Sequence, residues 1–301
     1  MSILVDKNTK VLVQGITGRD GSFHAQAMQE YGTNVAGGVT PGKGGQKVGT
    51  LPVFNSVKDA MAETQANCSI IYVPAKFSSA AIKEAADNKI PLIICITEGV
   101  PVNEMLENYY YVQDKGVRLI GPNCPGLISP GKCKVGIMPA RIHLPGNIGV
   151  ISRSGTLTYE LVYNLTNSKM GQSTCVGIGG DAVVGTGYID LLGMFEKDPD
   201  THAIVLIGEI GGEEEERAAE YIKGHMTKPV VSFISGRSAP ADKKMGHAGA
   251  IISQGRGTAK AKIEALNKAN IPVADCPSQI PKLLKEKLKI TGSDHLISAR
   301  E

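Results

Sequence analysis

The stretch KMGHAGAIIS, residues 244–253, sets a histidine, His247, among glycines and alanines. A neutral imidazole is a nucleophile near neutral pH, with an ordinary pKa of about 6.5. Small neighbours leave room for a bulky group on the ring. A phosphoryl group carried on the ring would fit both facts, and it would need anion cradles nearby. It would also want a carboxylate to accept one ring N–H and fix the tautomer. Glu209, in GEIGG after an apolar run, stands where such a carboxylate would face a crevice. A lone histidine can equally be a packing residue. That is the reading for His24, His143, His202, His225 and His295, which fall in helical, polar or terminal stretches.

Two loops could hold anions. SRSGTLTYE follows an apolar run, and Ser154, Gly155 and Thr156 would open a helix whose N-terminal N–H groups attract negative charge. The stretch is not a G-x-S-x-G elbow, so serine hydrolase chemistry is disfavoured. An ordinary Ser/Thr cap is the alternative. The other loop, QGITGRDG, places Gly15, Gly18 and Gly21 after the first apolar run. Its spacing is not the dinucleotide fingerprint, and a plain tight turn remains open. The next run ends GGVTPGKGGQ, with no acid to hold a ribose and with Lys43. That favours a ligand with extra phosphate, such as coenzyme A or NADP, over NAD, although Lys43 could also be a solvated loop lysine. YVPA (72–75) and ITEG (96–99) lie at further strand ends, where open α/β sheets bind ligands, with ordinary loop punctuation as the alternative. Residues 213–216, four consecutive glutamates, read as a solvated helix start suited to the helix dipole.

These loops need a frame. Short β-branched runs, KVLVQG, NVAGGV, SIIYVP, PLIICIT and VRLIG, alternate with amphipathic segments at 78–89 and 102–116. Continuous apolar strands with helical crossovers predict a parallel sheet covered on both faces. Between 121 and 139 Pro and Gly interrupt the rhythm, which predicts a linker. Alternation resumes with NIGVIS, AIVLIG, PVVSFIS and PVAD, and with helices near 156–166, 213 onward, 258–269 and 278–288. The expectation is an α/β chain with two domains. A Rossmann-like domain spans 1–125, a linker 126–146, a flavodoxin-like open parallel sheet 147–290, and a tail 291–301.

Bulk composition narrows the function. The 301 residues carry a net charge of +3, 42% hydrophobic residues, 5% aromatics and no Trp. This argues against nucleic-acid and membrane-surface binding. The six cysteines form no C-x-x-C pair and are expected as buried free thiols in a reducing compartment. No run reaches membrane-spanning length and no leader pattern opens the chain. A bacterial cytoplasmic location is expected, or the mitochondrial matrix if a presequence was removed.

GITGRDGSFH, GGVTPGKGG, YVPA, ITEG, GPNCPG, SRSGTLTYE, GQSTCVGIGGD, MFEKDP, GEIGG and GHAGAI occur in this order over residues 1–290. Together they closely resemble the α-subunit family of succinyl-CoA synthetases (succinate–CoA ligases). The resemblance implies that Thr17, Gly18, Arg19 and Asp20 surround the phosphates of coenzyme A. Lys43 adds a contact, and Ile96, Thr97 and Glu98 line the same site. It implies that His247 is the phosphorylated histidine and that Glu209 orients it. Ser154, Gly155 and Thr156 would cradle the phosphoryl group, with Tyr159 near the acyl substrate. No metal ligand falls in this chain: Mg²⁺ and ADP/ATP or GDP/GTP would sit on an ATP-grasp β subunit, in an αβ or α2β2 assembly. Rival readings are a non-catalytic CoA-binding module, a related NDP-forming acyl-CoA ligase, and an NAD(P) oxidoreductase.

Overall fold

The apolar run at Lys10–Gln14 forms β1, buried from Val11 onward because both of its faces are packed, Val11 and Val13 in one apolar cluster and Leu12 in another. In this computed structural model, residues 2–240, 243–253 and 255–290 are described. After β1 come α1 (Arg19–Glu30), β2 (Asn34–Val39), β3 (Lys47–Val48), β4 (Leu51–Phe54), α2 (Val57–Thr64) and β5 (Cys68–Ile71). Then follow α3 (Ala75–Asp87), β6 (Leu92–Cys95), α4 (Val102–Asp114) and β7 (Arg118–Ile120). The sheet order is β3-β4-β2-β1-β5-β6-β7, parallel except for the short β3. Leaving out β3, this is the doubly wound order of a Rossmann sheet. The direction of winding reverses between β1 and β5, the point at which sheets of this kind bind ligands beyond their C-terminal ends.

The second half begins with β8 (Gly126–Ser129) and β9 (Cys133–Gly136). It continues with β10 (Pro145–Ser152), α5 (Gly155–Asn167), β11 (Gln172–Gly177), α6 (Tyr188–Lys197) and β12 (Ala203–Gly208). Last come α7 (Glu214–His225), β13 (Val230–Ile234), α8 (Ala259–Lys268), β14 (Val273–Ala274) and α9 (Ile280–Ile290). The order is β14-β13-β12-β10-β11-β8-β9. Its parallel part has flavodoxin-like winding, which reverses between β10 and β12.

The expected linker is a correction. Residues 126–136 are not a connector but an antiparallel hairpin that extends the second sheet beside β11. Its glycines suggested a loop, yet they permit close strand crossing. A Cβ on Gly126 would stand 2.2 Å from the Val135 carbonyl oxygen. The expected tail, 291–301, lies outside the described residues.

The halves are joined by more than the chain. A single apolar cluster runs from Val13 and Ile94 of the first sheet to Leu127, Ile151 and Leu206 of the second. Thr33, just after α1, exchanges two hydrogen bonds with the backbone of Lys134 in β9. Among the described residues no helix is long and apolar enough to cross a membrane.

Candidate active site

The loops after β10 and β12 leave the second sheet at its winding reversal. Each contributes one buried charge there, Arg153 and Glu209. His247 comes from the segment between β13 and α8. Its Nδ1 lies 2.8 Å from Glu209 Oε2 and 3.0 Å from Oε1. Glu209 is nearly covered, while the imidazole keeps 28% of its surface open. The Nδ1–H donates to Glu209, so Nε2 carries the lone pair of the neutral ring. The hydrogen bond to Glu209 raises the His247 pKa; burial and Arg153 oppose it.

The bare backbone around His247 has two separate uses. Gly180, in the loop after β11, lies directly under the ring: a Cβ there would be 2.3 Å from the ring Cγ. Gly249 makes room for Arg153, whose Nη2 would be 2.6 Å from a Cβ. The Gly249 N–H also donates to the Gly180 carbonyl at 2.9 Å, pinning the histidine segment to the sheet end. Gly246 is open and serves its turn through a φ of +81°.

Arg153 binds this corner together. Its Nε is 3.8 Å from Glu209 Oε1, its Nη1 is 3.3 Å from Glu214, and its Nη2 donates to the Asp181 carbonyl at 3.1 Å. Burial lifts the Asp181 carboxyl above its ordinary value, while a 2.9 Å hydrogen bond from Asn123 Nδ2 opposes the rise. Two cavities, of about 330 and 520 Å³, share Arg153, Ala182, Glu214 and Arg217 as walls.

The remaining expected residues fall into two groups. Ser154 is the N-cap of α5, accepting from the Leu157 N–H, so its side chain serves the helix. Gly155 and Thr156 hold first-turn N–H groups, which an α-helix leaves without intrahelical partners. Tyr159 sits one turn on, half-buried, its hydroxyl 3.9 Å from where a Gly155 Cβ would be. Burial pushes that phenol up to about 12.

In the first half, Thr17, Gly18, Arg19 and Asp20 gather where β1 turns into α1. Thr17 bonds to Thr40 at the end of β2. Gly18 caps α1 with no side-chain acceptor on the helix N–H groups. Arg19 is exposed and paired with Asp20 at 2.8 Å. Lys43 is exposed in the turn after β2, its backbone N–H bonded to the Thr40 carbonyl. Gly21 shows why the turn is tight, since a Cβ would stand 2.2 Å from the Gly15 carbonyl oxygen.

Ile96, Thr97 and Glu98 link the groups. The Asn123 N–H donates to the Thr97 carbonyl at 2.9 Å, and the Asn123 carbonyl accepts from Gly180 at 3.1 Å. Glu98 acts electrostatically on both Asp181 and His247. A continuous path thus runs from the end of β6 to the glycine under the imidazole.

Sequence reasoning missed Arg153, Asn123 and Asp181, although each follows a strand end as ligand-facing residues do. Residues 213–216 do open α7, as expected, but they are not a solvated run. Glu213 is exposed, but Glu215 is fully buried against Lys262, and Glu214 pairs with Arg153. Among the described residues no cluster of three or more His, Cys, Asp or Glu could hold a metal. Five of the six cysteines are buried free thiols, and Cys276 is exposed.

Residues 6–99 match the profile of the CoA binding domain, and residues 151–271 that of CoA-ligase. The chain is 57% identical over 292 residues to the succinate–CoA ligase [ADP-forming] subunit alpha of Aquifex aeolicus, covering 96% of both chains. It is 55% identical to subunit alpha 2 of the Archaeoglobus fulgidus enzyme, covering 96% of this chain and 100% of that one. Among solved structures, ATP citrate lyase from Methanothrix soehngenii, in complex with citrate and coenzyme A, superposes with a TM-score of 0.88. That match covers 99% of this chain and 52% of the lyase, and at 23% identity it concerns the fold alone. With both profiles matched in order and relatives this similar along nearly the whole length, the chain belongs to the succinate–CoA ligase α-subunit family.

Proposed function

We propose that this chain is the phosphoryl-carrying α subunit of a succinate–CoA ligase and that His247 is the carrier. The observation that carries the reading is the Nδ1 contact of His247 with the buried Glu209 carboxylate at 2.8 Å. It leaves Nε2 as the nucleophile and stabilises the positive ring that forms when Nε2 is phosphorylated.

The first domain, 1–125, would bind coenzyme A. Thr17, Gly18, Arg19, Asp20 and Lys43 suit its phosphates, and 96–98 would lead the thiol toward the second domain. That domain, begun by the hairpin at 126, carries the ligase chemistry. Inorganic phosphate attacks the thioester carbonyl of succinyl-CoA. The C–S bond breaks, and the sulfur leaves with the electron pair to be protonated as free coenzyme A. His247 Nε2 then attacks phosphorus in succinyl phosphate, the P–O bond breaks, and succinate leaves. The first-turn N–H groups of α5 at Gly155 and Thr156 would hold the phosphoryl oxygens, and Tyr159 would contact the acyl group. The phosphoryl group passes from His247 to ADP or GDP, held with Mg²⁺ on an ATP-grasp β subunit in an αβ or α2β2 assembly. Every step runs in both directions. The setting is the bacterial cytoplasm or the mitochondrial matrix.

The test is co-expression with a β subunit, followed by labelled ATP and Mg²⁺. Acid-labile, base-stable label on wild type and none on His247→Asn is the expected result. If the complex binds coenzyme A but takes no label from ATP, or from succinyl-CoA with phosphate, the chain is a CoA-binding module instead.

A further inference from the structure

Beneath the turn that carries Glu209 lies an ion pair with no surface at all. The side chains of Lys262 on α8 and Glu215 on α7 are both fully buried, with Nζ 2.5 Å from Oε2. Lys262 spends its other donors on Glu216 Oε2 and the Gly212 carbonyl, each at 3.0 Å. The second oxygen of Glu215 accepts the backbone N–H of Glu209 at 3.2 Å. Tyr188, also buried, points its hydroxyl at that same oxygen and at the Ile207 carbonyl. Lys262 and Glu215 thus grip the turn at both ends, Glu209 and Gly212.

The turn is built on glycines, which take its left-handed backbone without strain but leave it flexible unless gripped. Gly211 and Gly212 take φ of +94° and +61°. The upper side of the turn is where the histidine segment rests: a Cβ on Gly211 would stand 1.9 Å from the Gly249 carbonyl oxygen, and the Gly211 N–H donates to Gly257. Any shift of the turn therefore moves Glu209 and the seat of His247 together. Taking two charges wholly out of water is expensive, and an apolar pair of similar volume would often serve stability as well. Stability alone does not account for a lysine with three acceptors at this position.

We propose that Lys262 and Glu215 are positioning residues for the phosphoryl transfer, holding the Glu209 backbone so that its carboxylate meets Nδ1 of His247. The inference rests on the reading of His247 as the carrier. Neither residue touches a reacting atom; both act through Glu209.

The test uses the co-expressed αβ complex. Lys262→Met/Glu215→Leu removes both members of the fully buried pair, leaving Glu216, which keeps 24% of its side chain exposed, to turn to water. Labelling of His247 from ATP should slow about 10-fold to 100-fold, the scale for a misplaced catalytic group, with little change in KM for ATP. The pH profile should shift toward lower pH as the imidazole loses its carboxylate partner. In a Glu209→Gln background the same pair of changes should add almost nothing, because both act on one contact. Should that variant not fold, Lys262→Met/Glu215→Gln keeps an acceptor for the Glu209 N–H but releases the Gly212 carbonyl, and should slow labelling by a smaller factor with the same non-additivity. Wild-type rate and profile in the folded variant, or a loss that simply adds to that of Glu209→Gln, would overturn the proposal. A wild-type complex that takes no label would instead overturn the carrier reading.

Discussion

Gly180 and His247 come from loops far apart in the chain, and the ring of one occupies the place where a side chain on the other would begin. The imidazole is therefore held edge-on to Glu209 from below as well as by its hydrogen bond. Gly180→Ala should push the ring away. Overpacking of this kind destabilises by about 1–3 kcal/mol, and labelling of His247 should fall much more than the thermal midpoint suggests. Parallel melting curves and labelling rates check this.

Glu209→Gln keeps the shape of the carboxylate but not its charge. The positive ring that forms on phosphorylation loses its counter-ion, and the neutral ring can adopt the other tautomer. The rate of phosphoryl transfer should drop roughly 10²–10⁴-fold. Rapid-quench labelling measures it directly.

Stability should carry the same signature. The His247 pKa is raised in the folded chain, so the protonated ring is held more strongly there than in the unfolded chain. Its contribution is fully present below the unfolded value of about 6.5 and is lost as pH rises through the higher folded value. The urea midpoint of wild type should exceed that of His247→Asn by more at pH 5.5 than at pH 8.5. An equal gap at both would show that Glu209 does not hold the charged ring.

Arg153→Met leaves Glu209 and the Asp181 carbonyl without their shared cation. Removing one partner of a buried ion pair costs about 3–5 kcal/mol. Chemical denaturation should show that loss, and phospho-His247 yield should fall with it.

Arg19→Ala and Lys43→Ala alter exposed side chains, so stability should change by no more than about 0.5 kcal/mol. Coenzyme A affinity should weaken, and the salt dependence of binding should become shallower. Labelling of His247 from ATP should stay at wild-type rate. Calorimetric titration at two salt concentrations, beside the labelling assay, separates these effects.

What the sequence made legible follows from how each element is covered. The strands of the first sheet announce themselves because parallel strands buried on both faces are unbroken apolar runs. Gln172–Gly177 does not, although β11 is buried throughout. Its polar residues are satisfied by partners distant in sequence, Ser173 by Thr201 and Thr174 by Ser129. His247 and Glu209 could be paired because each follows a recognisable loop. Glu215 could not, because a run of acids looks solvated until Lys262, 47 residues on, is seen to reach it. Asn123 stayed hidden in a Pro- and Gly-dense stretch whose hairpin emerges only when the neighbouring strand is in place.

The apolar cluster that spans both sheets packs the two halves of the molecule against one another. A hinge between the halves would have to open that cluster and the bonds from Thr33 to Lys134. If His247 is the carrier, the movement of its phosphoryl group to a distant acceptor would have to come from the histidine segment, tethered to the sheet through Gly249 and the glutamate bond. On that reading the chain would be a fixed anvil with a short swinging arm.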